Sequence, residues 1–133
     1  MSNAYKKYKQ ASVTSASREK LLLMLYEAAI RFTKKAQAAM EVNDIAERGM
    51  NIGRAFDIII ELNSTLNHEV APELAQNLEQ LYMFITEQYT KANAQNDKEA
   101  LANALKILEV LHKGWEEAIE KLKKEGKVGA STT

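Results

Sequence analysis

The chain has 133 residues, 46% of them hydrophobic, and its 18 basic and 18 acidic side chains balance to zero. That length supports one domain with a real core, and the balanced charge argues against a protein built to neutralise nucleic acid or coat an anionic membrane. The lack of cysteine excludes disulfides, thiolate metal sites and cysteine nucleophiles, and one proline with five glycines is too few for a turn-rich sandwich or barrel.

Residues 1–17 read as an N-terminal arm. The first twenty residues hold five basic groups and one acidic, whereas residues 21–115 hold nine basic and thirteen acidic. The zero total therefore hides a basic arm on a mildly acidic body. Tyr5-Lys6-Lys7-Tyr8-Lys9 interleaves aromatics with charge, as single-strand binders do. One such patch on an acidic body is too little, and no nucleic acid is expected. No apolar stretch follows the basic start as a secretory leader requires. The longest apolar run, Leu21 to Tyr26, is six residues, far short of the roughly 20 of a membrane span. A cytoplasmic protein without membrane insertion is expected.

Four stretches then follow with helical period, and none alternates like a strand. The first runs from Arg18 to Glu41, with Ser17 as N-cap and Glu19 in its first turn. The second runs from Asp44 to Leu66, capped by Asn43 or Asp44, with Ile45, Ile52, Phe56, Ile59, Asn63 and Leu66 as its stripe. The third starts at Pro72, which suits a first helical position, and ends near Asn93. Leu74, Leu78, Leu81, Ile85, Tyr89 and Ala92 form its stripe. The fourth runs from Asp97 to Glu125, with Asn96 and Glu99 spaced as a capping box and Gly126 as its C′ residue. Long helices with short connections give antiparallel neighbours. The expected fold is all-α, an antiparallel up-down four-helix bundle over residues 18–126, with the arm before it and a disordered tail at 127–133.

The apolar residues exceed one core. Leu21 to Tyr26 makes five helical steps, about 500°, while a bundle helix buries a stripe somewhat over 100° wide. Ile58-Ile59-Ile60 with Leu62, and Tyr82-Met83-Phe84-Ile85, repeat the surplus. Three readings remain open: wide faces harmlessly absorbed or exposed, a groove for a partner helix, or a homodimer interface. The arm, with Tyr5, Tyr8 and Val13, reads either as a movable cover over such a groove or as a tail with incidental aromatics. Gly49 and Gly53, four apart, mark either close helix approach or a shallow place for a partner. Trp115 is expected in or beside the core, with Gly114 giving it room.

Catalytic chemistry finds little support. Glu109-Val-Leu-His112 has the Glu-x-x-His spacing of helical di-iron proteins. Such sites need a second pair, and His68 has Thr65 three residues before it. His112 is expected as a hydrogen-bonded packing residue, with no metal and no cofactor. Nucleophile elbows, Walker loops and dinucleotide fingerprints are absent, so no enzyme is expected.

The segment Thr14 to Glu27 (TSASREKLLLMLYE) resembles the opening helix of the FliS family of flagellin export chaperones, as does Tyr5-x-x-Tyr8 before it. Asp57-Ile58-Ile59-x-Glu61-Leu62-Asn63-x-Thr65-Leu66-Asn67-x-Glu69 and Asn77-Leu78-x-x-Leu81-Tyr82 resemble the second and third helices of that family. Ala92-Asn93 and Trp115 fall where its pattern has them. The resemblance covers about Tyr5 to Glu117. It implies a four-helix bundle that binds the disordered C-terminal segment of flagellin in hydrophobic grooves, blocks premature polymerisation in the cytoplasm and presents the client to a flagellar type III export gate component. It also implies an arm, matched by Tyr5 and Tyr8, that moves aside for flagellin. Helical phase within and beside the matched segments gives Leu22, Tyr26, Ile52, Phe56, Ile59, Leu62, Tyr82, Ile85 and Tyr89 as expected partner-binding residues, with Val13 joining the two arm tyrosines. Arg18 stands where the family usually has proline, Ala28 replaces a common glycine, Ala71-Pro72 replaces a glycine pair, and Phe84 replaces a frequent tyrosine. The homodimer without client is the alternative.

Overall fold

A computed structural model of the chain describes residues 17–126. The expected arm and tail, and with them Tyr5, Tyr8 and Val13, lie outside the described residues. Four helices account for nearly everything else: α1 (Arg18–Glu41), α2 (Ile45–Ser64), α3 (Pro72–Gln95) and α4 (Lys98–Lys124).

Local chemistry sets the helix starts. Ser17 accepts a hydrogen bond from the Lys20 amide at 3.2 Å, Asp44 from Glu47 at 3.1 Å and Asp97 from Ala100 at 3.0 Å, each satisfying one amide that the first turn leaves unpaired. Helix α3 has no side-chain cap; Pro72 begins it. Several helix ends differ from the sequence expectation by one or two residues, and two of the differences have a local cause. Helix α2 stops at Ser64, leaving Thr65 and Leu66 in the connection, where the Thr65 hydroxyl donates to the Leu62 carbonyl at 2.7 Å. Asn96 is not the first residue of a capping box. It closes α3 in the left-handed conformation, at φ 52°, and Asp97 beside it caps α4. One residue cannot serve both ends, and asparagine tolerates positive φ better than most side chains. Gly126, at φ 72°, follows α4 as expected.

The helices form a square in which α1 packs on α2 and α4, and α3 on α2 and α4. Side-chain pairs fix the directions. Tyr26 meets Tyr82 and Thr33 meets Tyr89, both at a separation of 56 residues, so α1 and α3 run parallel across the diagonal. Moving along α1 from Tyr26 to Lys34 moves the partner back along α4, from Trp115 to Glu109, so these neighbours are antiparallel. This is the up-down bundle. Tyr26, Ile59, Leu62, Ile85, Tyr89 and Leu101 lie fully buried at its centre.

The two ends of the bundle are built differently. At one end the connections are short, residues 42–44 and 96–97, and Arg48 of α2 clasps the end of α3. Its Nε donates to Asn93 Oδ1 at 3.3 Å, Nη2 to the Asn93 carbonyl at 3.1 Å and Nη1 to Asn96 Oδ1 at 2.8 Å. At the other end the helices are joined only by the longer connection 65–71. There Asn67 Oδ1 accepts from the amides of Glu69 and Val70 at 3.0 and 3.1 Å, a local turn that competes with further helix.

Candidate functional site

The longer connection leaves the start of α3 projecting beside the start of α1. Leu74, in the first turn of α3, is 51% exposed, and Val70 just before it is 80% exposed. Together with Leu22 of α1, Leu66, Leu78 and Trp115 of α4, they line a cavity of about 240 Å³ that opens at this end. Its wall is mostly apolar, with Thr65, Asn67 and Tyr82 also in its lining.

Beneath the wall runs a buried polar chain. Trp115 Nε1 donates to the Tyr26 hydroxyl at 3.2 Å, and the Tyr26 hydroxyl bonds in turn to that of Tyr82. The two tyrosine rings are tilted, with centroids 6.5 Å apart. Two turns along the same diagonal lies a second chain. The Thr33 hydroxyl donates to the Ala29 carbonyl at 2.7 Å, because a carbonyl only accepts. Its single hydrogen is thereby used, so Tyr89 must donate to Thr33, also at 2.7 Å. Burial pushes all three tyrosines above their ordinary value near 10, which keeps each hydroxyl a neutral donor across the physiological range.

The expected partner-binding residues divide in a way that periodicity did not reveal. Tyr26, Ile52, Ile59, Leu62, Ile85 and Tyr89 are buried against their own bundle. Leu22 and Tyr82 line the cavity. Phe56 is half-buried and borders a separate shallow depression with Thr86 and Thr90. Leu66, Leu74, Leu78 and Trp115 line the cavity but were not in the expected set. Leu74 and Leu78 belong to the α3 stripe and read as core. The usable signal was Pro72, which starts α3 so that Leu74 falls in a first turn beyond full cover. The surplus in the apolar runs is partly real: Ile60 is 51% and Met83 55% exposed, while their neighbours Ile59 and Tyr82 are buried.

The glycines carry less than expected. A Cβ at Gly114 or Gly53 would meet nothing within 4 Å, and one at Gly49 would meet only Asn93 Oδ1 at an ordinary 3.7 Å. None of the three is required for close approach of another helix.

His112 bridges α4 to α1. Its Nε2 lies 3.0 Å from Glu27 Oε2, and its Nδ1 lies 3.7 Å from Glu116 Oε1, one turn on. Because a carboxylate only accepts, Nε2 carries the hydrogen. Glu109, the other member of the Glu-x-x-His pair, faces Lys34 at 3.8 Å instead. Among the described residues Glu27, His112 and Glu116 could together hold a divalent cation, with ligand atoms within 4.8 Å of one another. No described helix is long and apolar enough to cross a membrane.

Comparison with known proteins places these features. The sequence model of the family described as "Flagellar protein FliS" matches residues 1–122. The flagellar secretion chaperone FliS of Vibrio cholerae is 36% identical over 121 residues, 88% of this chain and 89% of that protein. Its namesake in Bacillus subtilis is 32% identical over 123 residues, 92% and 91% of the two chains. A bacterial flagellar chaperone of known crystal structure shares the fold, with a TM-score of 0.73 over 89% of this chain and 96% of its own, at 20% identity.

Proposed function

Because the chain belongs to the FliS family of flagellar secretion chaperones, we propose that it binds the C-terminal segment of flagellin in the cytosol, keeps it from polymerising and hands it to a component of the flagellar export gate. The observation that carries this reading is the open-end cavity, with Leu22, Leu74 and Trp115 in its wall. The closed end also exposes single apolar residues, Val42 and Ile45, but at the open end several from α1, α3 and α4 gather around one cavity that another chain can fill. A segment without structure of its own loses conformational entropy on docking and therefore needs a large apolar contact to bind at all. The arm, with Tyr5, Tyr8 and Val13, covers the site until flagellin displaces it. Tyr26, bonded to Tyr82 and Trp115, supports the wall from behind, Ile52, Ile59, Leu62, Ile85 and Tyr89 fill the core of the bundle, and Phe56 with the exposed Ile60 and Met83 extends the apolar contact along α2 and α3. The reading calls for no catalytic group.

Titration of the purified protein with a peptide of the cognate flagellin C-terminus tests this. The expected result is near-stoichiometric binding, a gain of helical circular dichroism and a negative heat-capacity change. No binding of the cognate segment would remove the proposal.

A further inference from the structure

Counting hydroxyl hydrogens along the two buried chains separates them. The Tyr89 chain is complete: Tyr89 donates to Thr33, Thr33 donates to the Ala29 carbonyl, and no donor is left over. The other chain holds three hydrogens, one on Trp115 Nε1 and one on each tyrosine oxygen. Trp115 spends its own on Tyr26. A single further bond joins Tyr26 and Tyr82, so one of the two hydroxyl hydrogens remains over. If Tyr82 donated to Tyr26, the spare hydrogen would sit on Tyr26, which is fully buried and has no further acceptor among the described residues. A buried donor without a partner costs free energy that the alternative avoids. Tyr26 therefore donates to Tyr82, and the spare donor is the Tyr82 hydroxyl. Tyr82 is 2% exposed and is one of the residues lining the cavity, whereas Tyr26 is not.

We infer that the Tyr82 hydroxyl is a further binding donor for the docked segment and takes a main-chain carbonyl of that segment. This rests on the flagellin-binding reading above and names one contact within it. The chemistry favours a backbone acceptor. The surrounding wall offers Leu22, Leu66, Leu74, Leu78 and the Trp115 ring, so a segment that seats apolar side chains there also buries the carbonyls between them. Each buried carbonyl needs a donor, and the last carbonyls of a short helix have none within the helix. The Trp115 N–H is already spent on Tyr26, which leaves Tyr82 as the aromatic donor at this wall. Its raised pKa keeps it protonated.

The test compares Tyr82→Phe, Tyr26→Phe and Tyr89→Phe, each first checked for native helical circular dichroism, in titrations with the cognate flagellin C-terminal peptide. All three lose one buried hydroxyl, but only Tyr82→Phe loses the spare donor. The expected result is a roughly fivefold to tenfold weaker Kd for Tyr82→Phe, with the other two within about twofold of the parent. Equal affinity for Tyr82→Phe and the parent overturns the inference, and so does an equal loss in Tyr26→Phe, which would place the effect in the scaffold. An ester scan along the peptide gives an independent readout, since an ester carbonyl is a weaker acceptor than an amide. One ester position should weaken binding to the parent but not to Tyr82→Phe; equal losses against both proteins at every position also overturn it. If the unmodified peptide fails to bind the parent protein, the flagellin reading itself falls, an outcome distinct from all of these.

Discussion

The two ends of this bundle use similar residues to opposite effect. At the closed end, short connections, the Arg48 clasp on Asn93 and Asn96, and back-to-back caps at Asn96 and Asp97 tie neighbouring helices together. The nearer polar chain, Tyr89 to Thr33 to Ala29, ends on a backbone carbonyl. At the open end a longer connection lets the start of α3 project, and the equivalent chain, two helical turns back, leaves a donor at a cavity wall. The difference teaches that a satisfied polar chain rigidifies the helices it joins, whereas a donor left over beside a cavity is one that a docked segment can use.

The largest expected effect sets core against wall. Ile59→Ala removes a fully buried side chain and should cost about 2–5 kcal/mol in denaturant unfolding. Leu74→Ala, at the half-exposed wall, should change stability by less than about 0.5 kcal/mol while weakening flagellin binding several-fold. If Leu74→Ala unfolds the protein as Ile59→Ala does, the open end is core and the contrast is lost.

A smaller effect separates the two polar chains. Tyr26→Phe strands the Trp115 N–H and should cost about 1–3 kcal/mol, whereas Tyr89→Phe leaves Thr33 bonded to Ala29 and should cost about 1 kcal/mol. Chemical denaturation of both variants would show whether that order holds. Both chains also predict alkaline weakening. A phenol whose value is raised on folding stabilises the native state fully below its ordinary value near 10, and that contribution fades as pH climbs toward the folded value. Stability should therefore fall above about pH 10, and Tyr89→Phe should lose part of that slope.

The smallest effect belongs to the closed end. The Ala100 amide, more than nearby Lys91, holds the Asp97 carboxyl below its ordinary value. A depressed carboxyl stabilises the fold above its ordinary value and loses that contribution as pH falls through the folded one. Acid titration of the parent against Asp97→Asn should show a shallow loss below about pH 4 that the variant lacks.

Much of the architecture was legible because long helices repeat their period many times. Arg18, Glu41 and Pro72 bound their helices as the pattern said, and Asp44 was one of two caps proposed. Asn96 was misread because capping spacing alone does not tell which of two abutting helices owns a residue. The site was harder. Ile59, Leu62 and Tyr89 share a phase with residues at the wall, and phase reports direction around a helix but not distance from its end. Leu74 and Leu66 became wall residues only through the longer connection, a fact of length and position rather than of side-chain type. Arg48 gave no local signal, since its three acceptors lie some 45 to 48 residues away in the chain.

The open end also bears on how long each molecule survives. A ligand that binds only the folded state stabilises it by mass action, about 2.7 kcal/mol at a hundredfold excess over Kd. Proteases cut chains that have transiently opened, so under the proposed function an unloaded copy is the vulnerable one. A cavity lined by Leu22, Leu74 and Trp115 thus ties the abundance of the protein to the supply of its client, and pulse-chase decay with and without flagellin synthesis should show the loaded pool outlasting the empty one.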